Sequence, residues 1–194
     1  VYYSTIMENS YYLLRHGRNI HQTELKDICY GWPDDDNPCK LDEVGIEQVT
    51  LAGTKLRSFN INLIYSSDIL RTKQTAEIVA SILGISVINY DEKLRDLNWG
   101  VFAGGPKKEA LAFYNEKNRM KDRPENGESW GDLQKRVVES LKKMENNHSN
   151  KNILIVSHGD TILLLMAWFN DWSLEEILKQ RKNMIQTGEL RRLN

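Results

Sequence analysis

Short apolar segments alternate along this chain with longer segments of helical spacing, and this alternation restricts the fold more than any other feature. Four short segments are predicted to be strands: YYLL (11–14), NLIYSS (62–67), ISVINY (85–90) and NILIVS (152–157). Helices are predicted over 42–59, over 68–83, from the Gly-rich turn 98–106 to about 121, and over 130–146, 160–170 and 173–181. Residues 184–193 are predicted to form a final strand. Strands separated by such helices favour a mostly parallel sheet with helices on both faces.

Two helix predictions specify the residues that should face the core. The apolar face of 42–59 consists of Val44, Val49, Ala52, Leu56 and Phe59. The helix that follows the Gly-rich turn should bury Leu111 and Tyr114. Gly84 is expected to end the second helix, and Ser129 to cap the fourth.

Composition indicates one ordinary globular domain, predicted over 7–194, in a chain of 194 residues that is 40% hydrophobic and 27% charged. The net charge of −1 does not indicate nucleic acid or a membrane as a partner. The longest apolar run, TILLLMAWF, is about half of the roughly 20 residues that span a bilayer. Cys29 and Cys39 lack metal-site spacing, so reduced thiols in a cytoplasmic protein are expected. We expect Val1 to Ile6 to be a non-native or irregular extension.

A His-Gly pair ends each of two predicted strands, in LLRHG and in ILIVSHG. In open α/β sheets, ligands bind outside the carboxyl ends of the strands, where both pairs fall. The polar side chains expected at these ends are Arg15, His16, Arg18, Asn19, Ser66, Ser67, Arg71, Asp96 and His158. Gly17 and Gly159 let the backbone turn sharply there and approach a ligand closely.

Arginine, histidine and a carboxylate together can perform phosphoryl chemistry. Arginine binds phosphate through two parallel hydrogen bonds, and neighbouring arginines keep a histidine neutral and nucleophilic. A carboxylate can protonate the leaving group and later activate water. No carboxylate cluster for Mg²⁺ and no Walker-type loop is apparent, so neither metal nor cofactor is expected. Singly, each residue is better explained by an ordinary structural role, and only their common placement favours a site.

The ordered motifs resemble the histidine phosphatase superfamily, also called the phosphoglycerate mutase-like family. The resemblance covers most of the chain: LLRHG, GWPDDDNPCKLDEVGIEQV, SSDILRTKQTAEI, LRDLNWG, PENGESWGDLQKRV and ILIVSHGDTI. It implies a three-layer α/β/α sandwich whose mostly parallel central sheet has one antiparallel edge strand, the C-terminal one. It also implies that His16 is phosphorylated, that Arg15, Arg71 and His158 hold the phosphoryl group, and that Asp96 donates the proton.

The chain departs from the family pattern at three places near these residues. Arg18-Asn19 replaces the frequent Glu-Thr or Glu-Ser, and Arg18 would favour a second acidic group on the substrate. Gln22 stands where the family has asparagine and can still donate to phosphate. Asp96 replaces the commoner glutamate and is one methylene shorter. Gly17, Arg18, Asn19, Gln22 and Gly159 are the predicted phosphate or substrate contacts.

Three functions remain open on the sequence. A phosphatase of branch 1 type acting on a small phosphorylated metabolite is favoured, because mutases of this family resemble longer chains with inserted segments. A phosphoglycerate mutase and a non-catalytic phospho-ligand binder are the alternatives. The sequence leaves the substrate and the oligomeric state open, and a homodimer is compatible with it. His21 and His148 are predicted to lie on the surface, and Trp99 either walls the pocket or packs in the core.

Overall fold

A computed structural model describes residues 7–30, 39–114 and 118–194. The predicted N-terminal extension 1–6 and the acidic run 34–36 lie outside the described residues. Five strands form one sheet: β1 (Ser10–Arg15), β2 (Leu63–Ser66), β3 (Ile88–Tyr90), β4 (Asn152–Ser157) and β5 (Leu190–Arg192). The predicted final strand is therefore real but shorter than 184–193.

The sheet has the order β3-β2-β4-β1-β5, in which β1, β2, β3 and β4 run parallel. β5 is antiparallel to β1 and forms one edge, so the predicted architecture with its C-terminal antiparallel edge strand is confirmed. β1 and β4 are neighbours, and their register pairs Arg15 with Ser157. Because of this register, the two His-Gly pairs follow adjacent strands at the same level of the sheet edge.

The described residues form six α-helices: α1 (Glu43–Leu56), α2 (Leu70–Leu83), α3 (Lys107–Phe113), α4 (Trp130–Asn147), α5 (Gly159–Phe169) and α6 (Leu174–Arg181). Successive side chains of a strand point to opposite faces, and β1 divides accordingly. Leu14 packs with Leu56 of α1 and Val79 of α2. Leu13 packs with Val137 of α4 and Ile162 of α5. One apolar layer therefore covers each face of the parallel strands.

The helix caps follow the sequence signals closely. Gly84 ends α2 in the left-handed conformation at φ 71°, which favours glycine. The Ser129 side chain accepts a hydrogen bond from the amide of Asp132, while the Asp132 carboxylate accepts one from the Ser129 amide. Both predicted caps are confirmed.

Three predicted helix features differ from the structure. α3 ends at Phe113 rather than near 121, because the Tyr114 backbone leaves the helical region and its hydroxyl donates to the Glu128 carbonyl. Leu111 is exposed, whereas Tyr114 is buried as predicted. Val44 is also exposed, and Phe59 lies beyond the end of α1, with its ring centroid 5.0 Å from that of Tyr12.

No helix within the described residues combines the length and the apolar character needed to cross a membrane.

Gly17 is a point of close contact between the end of β1 and helix α1. A Cβ atom at Gly17 would overlap the Gly45 carbonyl oxygen and lie 2.8 Å from a methyl group of Val49. We expect Gly17→Ala to lower the free energy of unfolding by about 2 kcal/mol, because neither neighbour has space to move. Urea denaturation measures this change. Gly105→Ala is the control, since its Cβ meets nothing closer than 3.4 Å; equal stability of the two variants would contradict the prediction.

Candidate active site

Two imidazole rings face each other at the carboxyl ends of β1 and β4. The ring centroids of His16 and His158 lie 5.3 Å apart, and both side chains are almost completely buried. Backbone hydrogen bonds continue past the strand ends, since the His16 amide donates to the Ser157 carbonyl at 3.0 Å. The sheet therefore holds both rings in fixed positions.

One ring nitrogen of His16 contacts a backbone carbonyl, and the other carries the free lone pair. Its Nδ1 lies 2.8 Å from the carbonyl oxygen of its neighbour Gly17, which can only accept a hydrogen bond. The proton of the neutral ring is therefore on Nδ1, and Nε2 carries the free lone pair. This tautomer is the one that a nucleophilic histidine requires.

His158 is oriented from the neighbouring strand. Its Nε2 lies 3.0 Å from the hydroxyl oxygen of Ser67, which follows β2 directly. Nδ1 has no hydrogen-bond partner among the described residues and lies 3.8 Å from Oδ2 of Asp96. When the Ser67 hydroxyl donates to Nε2, the proton of the neutral ring is on Nδ1, and Nδ1 can donate a hydrogen bond to an anion.

Arg71 lies in the first turn of α2 with a fully buried side chain. Its guanidinium stands 4.3 Å from the ring centroid of Tyr30, and its Nη2 lies 3.5 Å from Oδ2 of Asp96. Thr75, one turn along α2, donates to the Arg71 carbonyl and accepts a hydrogen bond from the Gly17 amide at 3.2 Å. Arg71 and the His16 loop are thus held to each other.

Arg15 also lies near the histidine pair, and its positive charge contributes to lowering the pKa of both rings. Its Nη1 donates to the Ile185 carbonyl at 2.7 Å. A Cβ on Gly159 would lie 2.6 Å from Sδ of Met184 and 3.3 Å from the guanidinium carbon of Arg15, so this position accepts only glycine without a shift of these side chains. His158 caps the N-terminus of α5, whose dipole adds partial positive charge at the same place.

Asp96 contributes the carboxylate of the site and is itself buried. Its Oδ1 accepts a hydrogen bond from the Leu97 amide at 3.0 Å, and its Oδ2 accepts one from the Tyr30 hydroxyl. The carbonyl of Asp96 receives a 2.6 Å hydrogen bond from Arg136, which also binds the carbonyls of Arg95 and Lys93. Backbone and side chain of the acid are therefore both fixed.

Burial and positive charge control the protonation of the two histidines. Burial, together with the charges of Arg71 and Arg15, lowers the pKa of His16 well below its usual range. The pKa of His158 is lowered for the same reasons. Both rings are neutral at neutral pH, which leaves His16 with the lone pair that its Nδ1 contact places on Nε2.

The remaining predicted contacts lie around this centre and already have protein partners. The Arg18 guanidinium forms a 2.7 Å ion pair with Asp42. Asn19 caps a short turn through the His21 amide, and the Gln22 side chain accepts a hydrogen bond from the Asn19 amide at 2.9 Å. The side chain of Asn19 comes only within 3.5 Å of the His16 ring. These three residues lie around the histidine pair and are held there by protein contacts.

Sequence reasoning missed one residue of the site and misplaced another. Ser67 was expected at the end of its strand, but its contact with the His158 ring was not predicted. Tyr30 lies in a stretch without regular periodicity, and nothing local indicates that it reaches Asp96. His21 was wrongly predicted to lie on the surface: it is buried, with its ring centroid 5.0 Å from that of Tyr30.

Comparison with known proteins agrees with this geometry. The profile of the histidine phosphatase superfamily (branch 1) matches residues 11–192. A probable phosphoglycerate mutase GpmB of Erwinia tasmaniensis is 32% identical over 163 residues, which are 80% of this chain and 72% of the relative. The chain therefore belongs to branch 1 of the histidine phosphatase superfamily.

Solved structures share the fold over nearly the whole chain. The YhfR protein of Bacillus stearothermophilus superposes with a TM-score of 0.78 at 26% identity, covering 95% of this chain and 90% of that protein. The alpha-ribazole phosphatase of Shigella flexneri gives a TM-score of 0.77 at 23% identity, covering 94% and 89%. The second likeness is one of fold alone.

The lowered pKa values of His16 and His158 predict that stability depends on pH. Unfolding returns both rings to a pKa of about 6.5, so below that pH the unfolded chain binds more protons than the folded one. The free energy of unfolding should therefore fall as the pH drops from 7 to 5, by up to about 1.4 kcal/mol per pH unit for each ring. Urea denaturation at several pH values measures the slope. An unchanged slope in a His16→Gln/His158→Gln variant would contradict the assignment.

Proposed function

We propose that this chain is a metal-independent phosphatase that hydrolyses a small phosphomonoester through a phosphohistidine on His16. The observation that carries the proposal is the neutral, buried ring of His16, which lies 5.3 Å from the ring of His158 and close enough to Arg71 and Arg15 for their charges to lower its pKa. Among the described residues, this site combines a nucleophile with fixed positive charge, and Asp96 is the carboxyl group that is hydrogen-bonded within it. A phosphoryl group supplies the missing negative charge.

In the first step, the Nε2 lone pair of His16 attacks phosphorus and the bond from phosphorus to the ester oxygen breaks. The ester oxygen takes a proton from the carboxyl group of Asp96 and leaves as an alcohol. Arg15, Arg71 and His158 hold the phosphoryl oxygens during this transfer. Guanidinium groups thereby do the electrostatic work that Mg²⁺ performs in other phosphoryl-transfer sites.

In the second step, the carboxylate of Asp96 takes a proton from water while the water oxygen attacks the phosphohistidine. The nitrogen–phosphorus bond breaks, its electron pair returns to Nε2 of His16, and inorganic phosphate leaves. Asp96 is protonated again, so one residue serves as acid and then as base.

We propose that Gly17, Asn19, Gln22 and Gly159 shape the rim of the phosphate site, since the amide of Gly17 and the side-chain oxygens of Asn19 and Gln22 already have protein partners. Arg18 would reach a second acidic group only at the outer edge, because its Nε is paired with Asp42.

Replacing His16 tests the nucleophile directly. His16→Ala should lower kcat/KM for a phosphomonoester by about 10⁴-fold or more and abolish the acid-labile, alkali-stable phosphoenzyme. His158→Ala should slow phosphoenzyme formation by about 10²-fold, because one stabilising donor is lost. Rapid-quench labelling with a ³²P-labelled substrate measures both. His148→Ala is the matched control, since that ring bonds Tyr65 away from the site; undiminished hydrolysis by His16→Ala would refute the proposal.

Phosphoglycerate mutase activity is the second candidate, favoured by the name of the curated relatives. Both activities use the same phosphohistidine, and they differ in whether water or a second substrate accepts the phosphoryl group. We expect net release of phosphate from a panel of phosphorylated metabolites. We expect little conversion of 3-phosphoglycerate to 2-phosphoglycerate, with or without bisphosphoglycerate. Robust isomerisation without phosphate release would identify a mutase instead.

A further inference from the structure

Tyr30 touches two different parts of the candidate site through two different groups. Its hydroxyl donates to Oδ2 of Asp96, and the face of its ring lies 4.3 Å below the guanidinium of Arg71. Its edge is held by the ring of His21, 5.0 Å away. No other described tyrosine is hydrogen-bonded to Asp96.

We propose that Tyr30 is a positioning residue that orients Asp96 through its hydroxyl and Arg71 through its ring. This inference rests on the proposed function, because it assigns Tyr30 a part in the same acid–base and phosphate-binding steps. It concerns how the short side chain at position 96 is held in place.

The hydroxyl is suited to hold Asp96 throughout turnover. A phenol can donate to an oxygen of a carboxylate and equally to an oxygen of a neutral carboxyl group. Asp96 would alternate between these two states in the two steps, whereas the Leu97 amide holds only Oδ1. Among the described residues, Oδ2 without the Tyr30 hydroxyl would keep two long contacts, 3.5 Å to Arg71 and 3.8 Å to His158. A misplaced acid loses much of the benefit of general acid catalysis.

The ring makes a separate contribution. A guanidinium over an aromatic face gains cation–π attraction, which is larger in a desolvated site. Arg71 is fully buried, so the ring of Tyr30 replaces part of the hydration that the cation has lost. Tyr30 thus supports phosphate binding through its ring and proton transfer through its hydroxyl, and two substitutions can separate these effects.

Tyr30→Phe removes the hydroxyl and keeps the ring. We expect kcat/KM for an alkyl ester, glycerol 2-phosphate, to fall by about 30-fold, because an alkoxide leaves only with a proton. For p-nitrophenyl phosphate, whose leaving group needs no proton, kcat/KM should change by less than about 3-fold. The inhibition constant of inorganic phosphate should stay at the wild-type value.

Tyr30→Leu removes the ring as well. It should show the same difference between the two esters and should also raise the inhibition constant of inorganic phosphate by about 5- to 10-fold. Tyr65→Phe is the matched control, because its hydroxyl bonds His148 and not a site residue. The control should match wild type on both esters.

The outcomes separate this inference from the proposed function. An active wild type with a Tyr30→Phe variant that loses both esters equally, or neither, overturns the inference alone. A wild type that hydrolyses neither ester and forms no phosphohistidine overturns the proposed function and the inference with it.

Tyr30→Leu decides the same point should Tyr30→Phe fail to fold, because it also removes the hydroxyl that bonds Asp96. A Tyr30→Leu variant without the difference between the two esters would overturn the inference.

Discussion

The parallel pairing of β1 with β4 is the constraint on which the site depends. Its register sets Arg15 opposite Ser157, so the residues that follow each strand leave the sheet at one level. His16 and His158 then face each other without any direct bond between them. β2 pairs with the other side of β4 and places Ser67 against His158. A slip of one residue would turn one imidazole to the opposite face of the sheet.

Burying so many cations together is costly, and the surroundings offset that cost. Arg71 lies over the Tyr30 ring and near Asp96, while Arg15 donates to a backbone carbonyl. The histidines avoid charge altogether, because burial and the two guanidinium groups lower their pKa values. What remains is a buried site with a surplus of positive charge, from which the proposed phosphoryl transfer would draw its electrostatic stabilisation.

The predictions that held and those that failed have different physical origins. The strand order at the edge, the helix caps and the grouping of His16, Arg71 and His158 at one sheet edge came from periodicity and ordered motifs. The length of α3 was overestimated because Tyr114 leaves the helix to bond the Glu128 carbonyl, a contact distant in sequence. The prediction that His21 lies on the surface was wrong, because the polar residues around it in the sequence do not indicate that Tyr30 packs against its ring.

The sequence by itself determined the class of fold and, through the family resemblance of its ordered motifs, the candidate residues of the site. Alternating strand and helix segments dictate a parallel sheet, and two His-Gly pairs at strand ends dictate where a site can form. Only the tertiary structure decided how those residues are oriented. The tautomer of His16 depends on the carbonyl of Gly17, and the place of Asp96 depends on Tyr30, Leu97 and Arg136. Tyr30 and Arg136 lie 66 and 40 residues from Asp96 along the chain. Such long-range contacts arise from packing between elements, and no local pattern encodes them.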